Sequence, residues 1–103
     1  MNTLSLKDKI SFSKDYPKKE ILYDSENAKA VLFCLEPGQG IGPHAVSSEV
    51  ALLAIEGKGV FITGDGEKNV EKDSLVVCKG NEQHGIRAEK ERFVVMAVIS
   101  PRP

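Results

Sequence analysis

Seven short apolar stretches, KEILYD, KAVLFCLE, VALLAIE, GVFIT, SLVVCK, HGIRA and RFVVMAVIS, recur along this chain between clusters of glycine, asparagine, aspartate and serine. Runs this short, rich in valine, isoleucine and phenylalanine and bounded by turn residues, suit strands and leave no room for long helices. The pattern predicts an all-β chain folded as an antiparallel sandwich or barrel. Only the segment from Thr3 to Lys9 reads as a helical turn, with Thr3 or Ser5 as its cap. At 103 residues the chain is expected to be one domain, 1–103, because a core this small cannot be divided and still bury enough apolar surface.

The punctuation predicts hairpins. In GVFITGDGEKNVEK the pair Asp65 and Gly66 is a favoured two-residue turn, which sets Val60 to Thr63 against a strand near Lys68 to Glu71. Glu56 to Gly59 predicts a tight corner between VALLAIE and GVFIT.

Side chains alternate across a strand, and VALLAIE and RFVVMAVIS are apolar on both faces. One face can line a barrel interior, and a chain this short has little left to cover the other. A second copy of the chain is the expected cover, giving a homodimer. Residues 1–15 read as an N-terminal arm available to such an interface. The competing reading is that this arm folds over the face unaided.

Charge narrows the partners. Fourteen basic and 15 acidic residues are mixed along the chain, for a net charge of −1. No broad positive field is available to a phosphate backbone, so nucleic acid is not an expected partner. Lys18 and Lys19 beside Glu20 read as a solvated strand end. No apolar run approaches the roughly 18 to 20 residues that span a bilayer, and MNTLSLKDKISFSKD lacks the hydrophobic region of a secretion signal. The expected location is the cytoplasm, away from membranes. Cys34 and Cys78 lie in hydrophobic runs rather than in a C-x-x-C pair, as buried free thiols of a reducing compartment do. A thiol facing a pocket is the alternative.

The chain has two histidines, His44 and His84, each just beyond a glycine-rich or polar turn that leads into a strand. In an antiparallel barrel these two turns can meet. A structural role and a shared site are both open for the pair. GQGIG, Gly38 to Gly42, lacks a following helix and reads as a flexible turn rather than a phosphate loop.

PGQGIGPHAVSSEVALLAIEGKG, followed by KDSLVVCKGNEQHGIRA, resembles the two sequence motifs of the cupin superfamily. The first is commonly G-x5-H-x-H-x3-E-x6-G. Gly38, His44 and Gly57 match it, while its second histidine is Val46 and its glutamate is Val50. The second motif, G-x5-P-x-G-x2-H-x3-N, keeps its histidine as His84 and carries Asp73, Lys79, Asn81 and Ala88 at its other positions. The resemblance runs from about Lys19 to Ile99. It implies a double-stranded β-helix, or jelly-roll, barrel of the RmlC-like cupin kind. It leaves the activity open, since one fold of this kind hosts oxygenases, isomerases, sugar-binding regulators and storage proteins.

Two readings of the site follow. A tightly held catalytic metal generally needs three protein donors. His44 and His84 supply two, and Glu49 would be a third only if Ser47 and Ser48 form a bulge that turns it inward. Cys78 and Gln83 are more remote candidates. That set would make a metal-dependent oxygenase or isomerase. The favoured reading is a pocket walled by Phe33, Val46, Val50 and Leu52, with His44 and His84 as its polar groups, binding a small molecule without a strongly held metal. Its cofactor is then none, or a weakly bound divalent zinc, nickel, iron or manganese. Paired imidazoles also suit acid/base chemistry near neutral pH. The motifs do not fix whether the protein is an enzyme.

Overall fold

The computed structural model describes residues 3–103. Among these, one helical turn, α1 (Leu6–Lys9), precedes nine strands: β1 (Lys18–Asp24), β2 (Lys29–Leu35), β3 (Gly40–His44), β4 (Glu49–Glu56), β5 (Lys58–Thr63), β6 (Gly66–Glu71), β7 (Leu75–Cys78), β8 (His84–Ala88) and β9 (Phe93–Ser100). Two antiparallel sheets result, with strand orders β1-β2-β9-β4-β7 and β3-β8-β5-β6. Apart from the β1–β2 and β5–β6 hairpins, every connection changes sheet, the winding of a double-stranded β-helix. No helix among the described residues is long and apolar enough to cross a membrane.

All seven apolar stretches lie on strands, as their β-branched and aromatic composition favours, although in β1 Ile21 and Tyr23 face solvent and, of its apolar residues, only Leu22 is half-buried. The glycine-rich segment departs from expectation. Gly40 to Gly42 belong to β3, which is held as a strand by pairing with β8 despite having no apolar run of its own. The β5–β6 hairpin is shifted by one residue, since Thr63 pairs with Gly66 and the two-residue turn is Gly64 and Asp65. The Thr63 hydroxyl explains the shift: it accepts the Asp65 N–H at 3.1 Å and donates to the Gly66 carbonyl at 3.0 Å, closing the turn around itself. In α1 the cap position is Ser5, which makes no side-chain cap bond.

The core lies between the sheets. Val50, Leu52 and Ala54 of β4 and Phe93, Val95 and Ala97 of β9 meet Phe61, Ile86 and Ala88 of the smaller sheet. The alternating residues form a second cluster on the outer face, where Leu32, Cys34 and Val94 are covered by Ile10 and Phe12 of the N-terminal arm. The arm is pinned there by Gln39, whose Nε2 donates to the Ser13 carbonyl at 2.8 Å, and by Arg92, whose guanidinium lies 4.3 Å from the Phe12 ring centroid. The arm thus folds back on its own barrel; its first two residues lie outside the described ones. It covers only part of the face. Leu75 and Val77 of β7 remain 60% and 58% exposed.

Gly57 alone joins β4 to β5, at a positive φ of 83°, so the corner between sheets is as tight as expected. Asp73 and Asn81 also take positive φ, at 74° and 67°. These are two positions where the second motif has glycine, so the backbone keeps the glycine geometry with residues that tolerate it.

Candidate functional site

His44 ends β3 and His84 begins β8, and the two are cross-strand partners. Residues directly opposite in an antiparallel pair point to one side, and the ring centroids stand 4.5 Å apart with planes at 62°. The register shifts between Ile41 and His44, where Gly42 and Pro43 bulge from the ladder. Gly42 has φ of 79°, and a Cβ there would sit 2.9 Å from the His84 carbonyl oxygen and 3.0 Å from His44 Nδ1. Glycine is therefore what lets the His44 ring fold back against β8.

The two rings differ in surroundings. His84 is 6% exposed, while His44 is exposed as a residue. Partial burial of its ring still pushes the His44 pKa below its ordinary value, and the neighbouring His84 adds to the effect. His84 Nδ1 donates to the Glu82 carbonyl at 3.4 Å, a long hydrogen bond to a group that can only accept.

Valines occupy the motif's other ligand positions. Val50 is buried in the core and Val46 is half-buried against it. Val46 also ties the motifs together, since its carbonyl accepts the Asn81 N–H at 2.7 Å. Glu49 is not brought to the histidines: β4 alternates so that Val50 points into the core, and Glu49 is exposed opposite Ser100 at the strand start. Among the described residues no group of three or more His, Cys, Asp or Glu side chains is placed to hold a metal ion. Two imidazoles fall short of the three-donor set a tightly held metal needs, so no chemistry is routed through one here. Cys78 is buried opposite Val50, and burial followed by the charge of Glu82 pushes its thiol up. Cys34 lies in the outer cluster, its thiol also raised by burial, so neither cysteine is an activated nucleophile.

Val50 and Leu52 are packed into the core rather than lining open space; of the expected wall, Phe33 and Val46 remain half-buried around it. Two open grooves lie elsewhere. One, of about 650 Å³, runs past Lys58, Glu71, Glu89 and Lys90 at the Ala88 end of β8, away from His84. Its charged residues are of both signs. The other, of about 560 Å³, follows the gap between β6 and β7 and ends at Lys79 and Glu82.

Glu82 is the residue that sequence reasoning missed. Its carboxylate accepts the backbone N–H groups of Lys79 at 2.9 Å and Gly64 at 2.8 Å. These bonds hold it below the usual carboxylate range. Nothing in the spacing of a lone glutamate signals a partner 18 residues upstream in another hairpin.

No protein-family model matches this sequence, and no curated protein matches it. Solved structures do. The protein TT1209 from Thermus thermophilus is 26% identical, with a TM-score of 0.94 over 100% of both chains. An RmlC-like cupin from Desulfovibrio desulfuricans is 27% identical, with a TM-score of 0.88 over 98% of this chain and 97% of that one. A protein with a double-stranded β-helix domain from Klebsiella pneumoniae, 19% identical with a TM-score of 0.88 over 99% and 91%, shares the fold. With this likeness along its whole length, and one histidine from each motif set side by side on paired strands, the chain belongs to the cupin superfamily.

Proposed function

We propose that this cupin binds a small organic molecule at the end of its barrel, against the paired imidazoles of His44 and His84, without a tightly held metal. The pairing itself carries the reading: two imidazoles within 4.5 Å, one buried and one open, beside valines where metal-binding relatives of the motif place donors. Such a pair offers one fixed donor or acceptor and one that solvent and ligand can reach. Ile41 and Val46, close to His44 in the chain, pack with Phe33 against the barrel core, which favours a compact and largely apolar ligand with one or two polar atoms.

The test uses tag-free, ¹⁵N-labelled protein and a library of small carboxylic acids, phenols and carbonyl compounds. Amide shifts clustered at His44, His84 and Val46, and lost in His44→Ala and His84→Ala, are expected. Shifts confined to the groove beside Lys58 and Glu89 would sink the proposal. Elemental analysis after exposure to zinc, nickel, iron and manganese separates the metal-enzyme alternative. Near-stoichiometric metal surviving dialysis, and lost in both variants, would favour that alternative.

We also propose that the uncovered outer face is the interface of a homodimer. Leu75 and Val77 lie opposite Leu53 and Ala51, which in turn lie opposite Met96 and Val98. These six side chains are uncharged, and Glu49 stands on the same face at the start of β4, so two copies related by a two-fold axis would set apolar surface against apolar surface with Glu49 flanking the patch.

A further inference from the structure

Glu82 lies in the turn between β7 and β8, two residues before His84, and its groups join three parts of the barrel end. Its Oε1 accepts the Lys79 N–H at 2.9 Å, and its own N–H donates to the Lys79 carbonyl at 3.1 Å, which closes the turn on itself. Its Oε2 accepts the Gly64 N–H at 2.8 Å in the β5–β6 turn. The contact is close: a Cβ on Gly64 would lie 2.8 Å from Glu82 Cγ. One residue earlier, Asn81 anchors the same turn to Val46 through its N–H. A segment held from its own turn, the neighbouring hairpin and the first-motif loop has little freedom, and its carbonyl points at His84 Nδ1.

We infer that Glu82 is the positioning residue of the His84 imidazole. By clamping the turn through Gly64 and Lys79, it fixes the carbonyl that takes the Nδ1 proton and so leaves Nε2 as the free nitrogen of the neutral ring. Carbonyl oxygen only accepts, so this hydrogen bond selects the Nδ1–H form. The carboxylate acts through the backbone and touches no ligand. A carboxylate is suited to the task because it offers two oxygens to two N–H donors, as the amide of glutamine does not. The His84 ring takes this form whether or not a ligand is bound.

Two-bond ¹H–¹⁵N correlation spectra of the neutral protein read the tautomer of His84 directly, with His44 as an internal comparison. In the wild type, His84 is expected as the Nδ1–H form. In Glu82→Ala the ratio of Nδ1–H to Nε2–H is expected to fall about fivefold, the size one net hydrogen bond carries. Glu82→Gln keeps one acceptor and is expected to restore part of the ratio. Gly64→Ala leaves Glu82 in the chain but displaces its carboxylate, and is expected to shift the ratio in the same direction. The Gln and Gly64 variants carry the test if Glu82→Ala does not fold. A wild-type ring in the Nε2–H form, or a ratio unmoved in every folded variant, would overturn the inference.

Discussion

His44 and His84 are cross-strand partners with ring centroids 4.5 Å apart, contributed one from each cupin motif. What separates this pair from a full ligand set is two side chains, Val46 and Val50. Restoring the motif with Val46→His and Val50→Glu is expected to raise zinc, nickel or manganese uptake to near one ion per chain, measured by elemental analysis after dialysis. Val50 is 1% exposed, so the metal-free double variant carries a buried and unpaired carboxylate and is expected to melt lower. Metal should return much of that loss. Unchanged uptake would show that the two positions do not face the histidines.

Asp73 and Asn81 carry positive φ where the motif has glycine. Alanine at either position keeps the strain and loses the local polar side chain that eases it, at a cost of about 1 kcal/mol. Glycine is expected to be near neutral, because its relief of strain offsets its greater freedom in the unfolded chain. In a domain of this size the alanine loss lowers the melting temperature by roughly 4–8 °C. Equal losses for Ala and Gly in thermal melts would place the effect in side-chain contacts and not in φ.

These left-handed residues mark the boundary of what the sequence displayed. β2, β4 and β9 were legible because short β-branched apolar runs bounded by turn residues describe a strand without reference to its partners, although only β4 shows alternating burial. β3 was not, because Gly40–His44 becomes a strand only through β8. The two site histidines were legible from the motif frame, but their meeting depends on a bulge at Gly42 and Pro43 that composition does not encode. Glu49 needed a bulge to turn inward, and β4 pairs with β9 in unbroken register from Glu49 to Ala54, so it stays on the face opposite Val50. Glu82 was invisible because its partners are backbone N–H groups, which every residue except proline possesses.

His44 gives the fold a specific pH dependence. Its pKa lies below the ordinary 6.5, chiefly through burial and then through His84. The unfolded chain therefore takes up this proton first, so stability is full above about pH 6.5 and falls as the pH drops through the lowered folded value. Asp24, Glu36, Glu67 and Glu82 are also lowered, by Arg102, Arg92, Arg87 and backbone N–H groups respectively, and their loss begins only in the carboxylate range. His44→Gln is expected to remove the first decline and keep the second. Scanning calorimetry from pH 7.5 to 3 checks this; identical curves for wild type and variant between pH 7 and 5 would contradict it.

Leu75 sits on the outer edge of the five-stranded sheet, opposite Leu53 on β4, with 60% of its surface open. In a monomer, replacing it with lysine exposes a charge already in water and changes stability by no more than about 0.5 kcal/mol. In a two-fold dimer the same lysine is desolvated beside its own copy, and association is expected to weaken by roughly 100-fold or more. Light scattering at micromolar concentration should therefore give a dimer mass for the wild type and a monomer mass for Leu75→Lys, with matching thermal melts at high dilution. A wild-type monomer mass would remove the dimer, and a Leu75→Lys dimer would move its interface to another face of the barrel.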